Sequence, residues 1–379
     1  MNNRSIYKYM IIGAGPGGIT AAAKLSENEI VWVDPEFKVG EFGTQFSEGN
    51  GIPGNTKVAA YNEVNEAIYK LIPATKPTLE ETKSFAMTHF APEKTCSLKI
   101  AAEPMQRISD KLTQHKNIHA IKGKVEEIVT TQSGSQVKIN VAEGKSIEVF
   151  AKRVILATGA QPKQINLPAG LEKLVVIDSN TACNEKFAQS LRNQPNIKVA
   201  VRGSSHSAAL AVMHLLQAGI PVKQFTNKDY RYAAPVKDAN GKSYTIYDNT
   251  GLKGDVAEFS RDLIRDTAAG RGKYLGLWER VDYKADEFKD QLAGYTHLID
   301  AIGYQTASTL IIDGKPQSEY QHNKTTMQIL GKHGLFGLGI GYPQEKMQPY
   351  GEREALVGYT KFWQTVNDAE VTKVMRSKL

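Results

Sequence analysis

Two turns of small residues, within segments 9–23 and 197–212, are the parts of this chain best suited to chemistry. Each turn follows an apolar run and precedes a run of small residues that is typical of a helix. One strand, turn and helix of this kind holds one dinucleotide. Two such units therefore predict two dinucleotides, or a flavin and a nicotinamide dinucleotide arranged to exchange a hydride. The spacing points to redox chemistry.

The first turn has a glycine at each position where a side chain would interfere. Gly13 permits the tight turn, Gly15 lets the backbone approach a pyrophosphate, and Gly18 lets the helix pack close to the strand. The helix start then offers free N–H groups to the anion. The next apolar run ends in Asp34, where a carboxylate can accept hydrogen bonds from a ribose. These four residues are the predicted first nucleotide site.

The second turn departs from this pattern at its middle position. Gly203 opens it, Ser204 follows, Ser205 stands where the middle glycine is expected, and Ala208 takes the third position. Serine is small enough for a pyrophosphate to approach, though less closely, and alanine is an accepted third residue. We predict a second nucleotide site at these four residues. A closed turn that holds no ligand is the alternative.

The strand after the second turn, 221–225, does not end in an acid. Lys228 and Arg231 follow it instead. Cations at this place suit the 2′-phosphate of NADPH better than the free ribose of NADH. The sequence therefore predicts NADPH at the second site, with Lys228 and Arg231 as ligands of the phosphate.

Short alternating strands over residues 118–151 follow the first unit and predict a β-meander. The meander leads into an apolar run that ends in Ala157, Thr158 and Gly159. A similar strand end, with Asp300 and Gly303, occurs after the second unit. We expect this second strand end to return the chain to the first domain and to contact its cofactor.

With these motifs the chain resembles the flavoproteins that have two dinucleotide-binding domains. The resemblance implies an α/β fold of two Rossmann-like domains, three-layer ββα in type, with the second inserted in the first. It implies an FAD domain over 1–165 and 294–379 and an NADPH domain over 166–293. FAD then occupies the first site.

Two features place the chain closer to the flavin-containing monooxygenase-like branch. The two cysteines, Cys96 and Cys183, lie too far apart in the sequence for the redox pair of disulfide reductases. The second turn and the segment 51–58 are similar to those of the monooxygenase-like branch. The resemblance implies that Asn55 lies beside the flavin and that Thr56 or Lys57 begins a helix over 58–71.

Composition sets wider bounds. A chain of 379 residues suits two domains, and its net charge of +7 comes without the long basic block typical of nucleic-acid binding. No apolar run is long enough to span a bilayer.

We expect a soluble intracellular protein without a signal peptide. In a bacterium it would be cytoplasmic, and in a eukaryote it would be peroxisomal because the chain ends in Ser377-Lys378-Leu379. The partner predicted is a small-molecule substrate. Oligomeric state stays open.

Three other patterns are weaker. The segment 244–255 reads as a turn-rich loop before a helix over 256–269, and it could overhang the nicotinamide or the substrate and supply Asp248 and Lys253. His115 and His119 have no evident third ligand, so no metal site is predicted. Apolar spacing over 352–367 predicts a packed terminal helix.

Three functions remain open at this point. An FAD-dependent monooxygenase reduced by NADPH, which oxygenates a small molecule at nitrogen or sulfur, is the function we expect. A non-oxygenating NAD(P)H-dependent reductase is the second. A flavin-bound scaffold or sensor without turnover is the third, and Ser205 is the residue that favours it.

Overall fold

The computed structural model describes residues 6–72, 87–141, 144–163, 165, 167, 170–238, 240–284, 288–306 and 309–377. Lys378 and Leu379, on which part of the localisation prediction depends, lie outside these ranges. In chain order the strands are β1 Ile6–Ile12, β2 Ile30–Asp34, β3 Pro53–Lys57, β4 Thr95–Ser97, β5 Ile118–Lys122, β6 Lys124–Thr131, β7 Gly134–Asn140, β8 Ser146–Leu156, β9 Ala160–Pro162, β10 Val175–Asp178, β11 Val199–Arg202, β12 Val222–Thr226, β13 Ala234–Lys237, β14 Ser243–Ile246, β15 Trp278–Asp282, β16 His297–Asp300, β17 Tyr304–Thr306, β18 Ile311–Ile312, β19 Lys315–Pro316, β20 Leu335–Gly337, β21 Gln344–Met347 and β22 Arg353–Leu356.

The helices lie between these strands. They are α1 Pro16–Leu25, α2 Val58–Leu71, α3 Leu98–Thr113, α4 Ser179–Ala182, α5 Glu185–Leu191, α6 His206–Gln217, α7 Gly254–Ala268, α8 Phe288–Gln291, α9 Tyr359–Val366 and α10 Ala369–Arg376. Short 3-10 helices occur at Gly40–Phe42, Gln45–Ser47 and Gln317–Glu319.

The first sheet is built around β1, which pairs in parallel with β2 on one side and β8 on the other. Its order is β19-β18-β6-β7-β8-β1-β2-β5, with β20 also pairing with β8. The last four residues of β1 are buried, as are the first four of β2. Continuous apolar runs of this kind suit central parallel strands, which are covered on both faces. The α/β class is confirmed.

The predicted meander is only partly right. β6, β7 and β8 form an antiparallel meander, but β5 pairs in parallel with β2 at the sheet edge. β8 is also one long strand rather than two short ones. Its first half pairs with β7 and its second half with β1, so the meander passes directly into the central sheet.

The second sheet is parallel and has the order β10-β16-β11-β12-β15. The expectation that the strand ending at Asp300 returns to the first domain is wrong. This strand, β16, lies between β10 and β11 in the second sheet. It pairs with β11, the strand before the second turn, just as β8 pairs with β1, the strand before the first turn. The chain leaves the first domain through β9 and returns through β17, and these two strands pair with each other. We propose that this β9–β17 ribbon is the connection between the two domains.

One helix prediction is confirmed and another needs correction. α2 covers 58–71 and begins directly after Lys57, as expected. The stretch 352–367 was expected to be one helix, but it is β22 followed by α9. Gly358 separates them with a φ of +109°, a conformation that other residues rarely adopt. Within the described residues, no helix is both long and apolar enough to cross a bilayer.

The loop after β14 attaches the second domain to the last part of the first. Asn249 and Thr250 donate hydrogen bonds to the carboxylate of Glu354, with 3.1 Å from Asn249 Nδ2 to Oε2. Asp248 Oδ2 lies 2.6 Å from Lys361 Nζ on α9. We call Asp248, Asn249, Thr250, Glu354 and Lys361 the interdomain clamp. The predicted turn-rich loop is therefore a domain contact.

Burial and charge both shape this clamp. Glu354 is only 2% exposed, so its carboxylate depends on the hydrogen bonds that it accepts. Burial on its own would raise the pKa of Asp248, but the ammonium groups of Lys361 and Lys253 outweigh burial and hold it below the ordinary value. Asp248 therefore stays charged at neutral pH.

Glu354→Gln tests the clamp. The amide retains one acceptor oxygen and turns a second donor toward Asn249 or Thr250, so we expect a loss of about 1–3 kcal/mol in stability and a lower Tm. Glu352→Gln is the matched control, because its ion pair with Arg231 is exposed and worth at most about 1 kcal/mol. Thermal unfolding of both variants is the measurement. Equal Tm values would show that the clamp contributes no stability.

Candidate functional site

The first turn is closed around the α-carbon of Gly13. Gly13 has a φ of +105°, and a Cβ there would lie 2.3 Å from the carbonyl oxygen of Ala157. A Cβ at Gly18 would lie 1.9 Å from the carbonyl oxygen of Gly13, which also accepts a hydrogen bond of 2.9 Å from Trp32 Nε1. Glycine is therefore required at both positions for packing within the protein.

Gly15 is different, because the protein itself leaves room for a side chain there. Its φ is −71°, and the nearest atom to an added Cβ is the Val39 carbonyl oxygen at 3.9 Å. Gly15 precedes α1, and its lack of a side-chain cap leaves the first N–H groups of that helix available. A missing side chain beside open N–H groups fits the close approach of a pyrophosphate.

A cleft of about 380 Å³ opens over this turn. Its wall contains the predicted residues Gly13, Gly15, Asp34, Ala157, Thr158 and Gly159, whereas Gly18 lies behind it. The wall also contains Leu338, Gly339 and Ile340, which directly follow β20. The volume and the glycine-rich wall suit a dinucleotide.

Asp34 contributes to both the turn and the cleft. Its Oδ2 accepts a hydrogen bond of 2.7 Å from the Ala14 N–H, and its Oδ1 accepts from the N–H groups of Glu36 and Phe37. A carboxylate has about four acceptor sites, so one remains for a ribose hydroxyl. The position of Asp34 in the wall is consistent with the predicted role.

Aromatic and amide side chains complete the cleft. Phe46 and Phe362 line it, and Gln317 donates a hydrogen bond of 2.6 Å from Nε2 to Thr158 Oγ1. Tyr304 lines the cleft and donates to Asn180 Oδ1 at 2.7 Å, which links the cleft wall to the second domain. These residues come together only through long-range packing, so no local motif marks them.

The second turn repeats the geometry of the first. Gly203 has a φ of +132°, and a Cβ there would lie 2.4 Å from the carbonyl oxygen of Ala301. Gln224, fully buried, donates a hydrogen bond of 2.8 Å to the Gly203 carbonyl, as Trp32 does to Gly13. Ser205 precedes α6 and makes no side-chain cap. The Ala208 methyl would lie 3.2 Å from a Cβ at Gly203. The turn has the form of a nucleotide site.

Two of the predicted ligands lie at the carboxyl end of β16, in the second sheet. Asp300 is 2% exposed and forms a bidentate pair with Arg202, with 2.6 Å for each of its two hydrogen bonds. Its carboxylate ties β16 to β11. Gly303 lies between β16 and the β9–β17 ribbon, next to Tyr304. Their role as cofactor ligands stays a prediction.

Arg231 is also engaged elsewhere. Its Nη1 lies 2.7 Å from Glu352 Oε2 in the first domain, and its guanidinium lies over the ring of Tyr247. Lys228, by contrast, is exposed just after the carboxyl end of β12, where the prediction placed it. Arg231 therefore contributes to the contact between domains, and the role of Lys228 and Arg231 as phosphate ligands stays a prediction.

Asn55 lies where the two domains meet. It stands in β3, outside the cleft wall, and its Oδ1 accepts a weak hydrogen bond of 3.4 Å from Thr56 Oγ1. Ile52, just before this strand, packs in one cluster with Leu210 of α6 and Leu252. The strand that carries Asn55 therefore adjoins the helix of the second turn.

His206, the first residue of α6, also lies at this junction. Among the described residues, neither ring nitrogen has a hydrogen bond of ordinary geometry. Burial lowers the pKa of His206 to about 4, opposed by the nearby Pro53 backbone and reinforced by Lys253. The ring is neutral at physiological pH, which suits a domain contact better than proton transfer.

Neither thiol nor metal chemistry is supported by the described residues. Cys96 and Cys183 are both free and buried, and burial raises the pKa of the first thiol to about 11 and of the second to about 12. His119 lies in β5 and packs on Tyr7. No group of three or more metal-type side chains occurs in the described ranges.

Comparisons with known proteins agree with this arrangement. The sequence profile described as pyridine nucleotide-disulphide oxidoreductase matches residues 7–223. Monooxygenase AgnR1 of Paecilomyces divaricatus is 26% identical, over 93% of this chain and 94% of that protein.

Two solved structures share the fold. One is DfoA of Erwinia amylovora bound to FAD, the cadaverine monooxygenase of desferrioxamine biosynthesis, with a TM-score of 0.61, 15% identity, and coverage of 98% of this chain and 95% of that one. The other is the ornithine N-hydroxylase KtzI of Kutzneria sp. 744, with reduced FAD, NADP⁺ and L-ornithine. It has a TM-score of 0.58, 14% identity, and coverage of 98% and 99%.

Gly15→Ala separates ligand binding from folding. The added methyl meets no protein atom closer than 3.9 Å, so we expect the FAD-free variant to melt within about 2 °C of the wild-type FAD-free protein. FAD content should fall at least about tenfold, because the methyl occupies the path of the pyrophosphate. Flavin absorbance per protein and thermal unfolding are the measurements. Gly18→Ala is the contrast, since it should lower both. Full FAD content in Gly15→Ala would contradict the assignment.

Proposed function

We propose that this chain, which belongs to the pyridine nucleotide-disulphide oxidoreductase family, is an FAD-dependent oxidoreductase that NADPH reduces. The proposed reaction is the oxygenation of a small molecule at nitrogen or sulfur. Family membership supports the use of FAD and a nicotinamide dinucleotide. The single observation that carries the rest is the pair of matching turns, at Gly13 and Gly203, in a chain whose two thiols are buried and unpaired.

The residues of the first turn fit FAD. Gly15 and the N–H groups of α1 would hold the pyrophosphate, and Asp34 would hold the ribose of the adenosine. Thr158, fixed by Gln317, and Leu338 would contact the remaining length of the cofactor in the cleft. When bound, FAD supplies the two-electron chemistry, accepting a hydride and passing electrons on.

The residues of the second turn fit a nicotinamide dinucleotide. Gly203, Ser204 and Ser205, at the start of α6, would hold its pyrophosphate, and Ala208 lets the helix pack close to β11. The β9–β17 ribbon and the interdomain clamp hold this turn in a set relation to the first. Orientation of the two dinucleotides is the protein's contribution to hydride transfer.

Oxygenation is favoured over simple reduction by two considerations. The family name includes disulfide chemistry, but the thiols here are buried with raised pKa values, so a disulfide acceptor is disfavoured. The proteins that this chain is similar to include a monooxygenase, a cadaverine monooxygenase and an ornithine N-hydroxylase. Nitrogen is therefore the oxygenated atom that the comparisons favour.

The first experiment mixes the purified FAD-loaded protein with NADPH, and separately with NADH, under anaerobic conditions. We expect bleaching of the flavin band that is faster with NADPH. Admission of oxygen with a panel of primary amines should then yield a hydroxylated product, detected by mass spectrometry. Bleaching with reoxidation but no product would support the non-oxygenating reductase instead. Absence of bleaching with either nucleotide would support the scaffold.

Asn55→Ala tests the residue that we propose beside the flavin. We expect unchanged FAD content and unchanged anaerobic reduction by NADPH, with product formation reduced at least about tenfold, the cost of one hydrogen bond to a developing charge. Lys57→Gln, at the exposed end of the same strand, controls for disturbance of β3. A variant that forms product at the wild-type rate would remove Asn55 from the proposed site.

A further inference from the structure

Arg280, on the outer strand of the second sheet, lies at the same edge as the second turn. It is opposite Gln224 in the β12–β15 register, and Gln224 holds the Gly203 carbonyl. The guanidinium extends toward the carboxyl end of β12, where Nε donates a hydrogen bond of 3.1 Å to Thr226 Oγ1 and Nη2 donates one of 3.1 Å to the Lys228 carbonyl. In this class of sheet, the ribose of the bound adenosine lies at the end of that strand.

We propose that Arg280, with Lys228, binds the 2′-phosphate of NADPH and sets the preference for NADPH over NADH. This inference rests on the proposed function, since it assigns a residue to the nucleotide that reduces the flavin. It replaces Arg231, whose guanidinium lies over the ring of Tyr247 and pairs with Glu352 of the first domain. Arg280 is 19% exposed and lies 5.3 Å from the ring centroid of Tyr230, so its guanidinium is already oriented.

One carboxylate contacts this guanidinium, and a second contacts the threonine that the guanidinium holds. Asp229 Oδ1 lies 2.7 Å from Arg280 Nη2, and Asp282 Oδ1 accepts a hydrogen bond of 3.3 Å from Thr226 Oγ1. The side chain of Asp229 is 94% exposed, so its pair with Arg280 contributes little to stability and is easily displaced. Asp229 therefore marks where an anion binds Arg280 in the absence of the nucleotide. A phosphate with two negative charges and several acceptor oxygens competes well for a guanidinium fork.

Binding of nucleotide fragments tests the assignment without flavin turnover. Calorimetric titration of the full-length, FAD-loaded protein compares 2′,5′-ADP with 5′-AMP, which differ in the 2′-phosphate. We expect the wild type to prefer 2′,5′-ADP. Arg280→Gln should raise the Kd for 2′,5′-ADP by about 10- to 100-fold and leave that for 5′-AMP within about twofold. Arg280→Lys keeps the charge but loses the planar guanidinium fork. Its Kd for 2′,5′-ADP should lie between those of the wild type and Arg280→Gln.

Two further variants make the test specific. Asp229→Asn should tighten 2′,5′-ADP by about two- to fivefold, because a competing anion is removed. If Asp229 were instead a ligand of the free ribose of NADH, the same variant would weaken 5′-AMP, and that result would overturn the inference. Arg231→Gln is the matched arginine control, and the ratio of the two Kd values should not change.

The inference and the proposed function fail in different ways. If NADPH reduces the flavin faster than NADH but Arg280→Gln keeps the wild-type ratio of Kd values, the residue assignment is overturned and the proposed function stands. If neither dinucleotide bleaches the flavin, the proposed function fails. A melting temperature for Arg280→Gln within about 3 °C of wild type shows that a lost affinity is not a lost fold.

Discussion

A carbonyl oxygen held against the α-carbon of a glycine is the contact on which both nucleotide sites depend. In the first domain the carbonyl is that of Ala157 and the glycine is Gly13, and in the second they are Ala301 and Gly203. A methyl group on either glycine would come within 2.4 Å of that oxygen, and the positive φ of both glycines disfavours other residues in any case. In each domain the strand before the turn packs beside a parallel neighbour, β1 beside β8 and β11 beside β16. This packing leaves room for no residue larger than glycine at the start of the turn.

Each of these glycines is also held from its other side. Trp32 donates a hydrogen bond to the Gly13 carbonyl, and Gln224 does the same for Gly203. Two chemically unrelated side chains thus perform one task at equivalent places. The helix that follows each turn has no side-chain cap at its start, so its first N–H groups are available to an anion. The geometry of cofactor binding follows from the packing of a few backbone atoms.

Charged side chains outside the two turns hold the domains in contact. Asp248 in the loop after β14 pairs with Lys361, Glu354 accepts hydrogen bonds from the same loop, and Arg231, just before β13, pairs with Glu352. α9, which carries Lys361, also contributes Phe362 to the wall of the cleft. The contact that orients the second domain is therefore continuous with the wall that would surround the flavin.

The elements that the sequence predicted well are those whose signals are local. The two turns and the helix over 58–71 follow from residues within a few positions of each other, where a glycine or the end of a strand decides the backbone. The wrong predictions concern which strands pair with each other. The apolar run that forms β16 looks the same whichever sheet it joins, and β5 alternates like a meander strand although it pairs in parallel with β2. Pairing is a long-range choice that no local pattern encodes.

The sequence by itself determined that two dinucleotide turns exist, that their backbone is open to anions, and that no redox cysteine pair serves them. These properties depend on residue types at short spacing. Only the tertiary structure decided which charges are free to meet a ligand. The carboxylate of Asp300 is buried and held by Arg202, and the exposed Arg231 pairs with Glu352, although their positions in sequence suggested cofactor contacts. A buried bidentate pair leaves its carboxylate little capacity for a ligand, whereas an exposed pair is easily displaced, and the partner in either case can lie a hundred residues away.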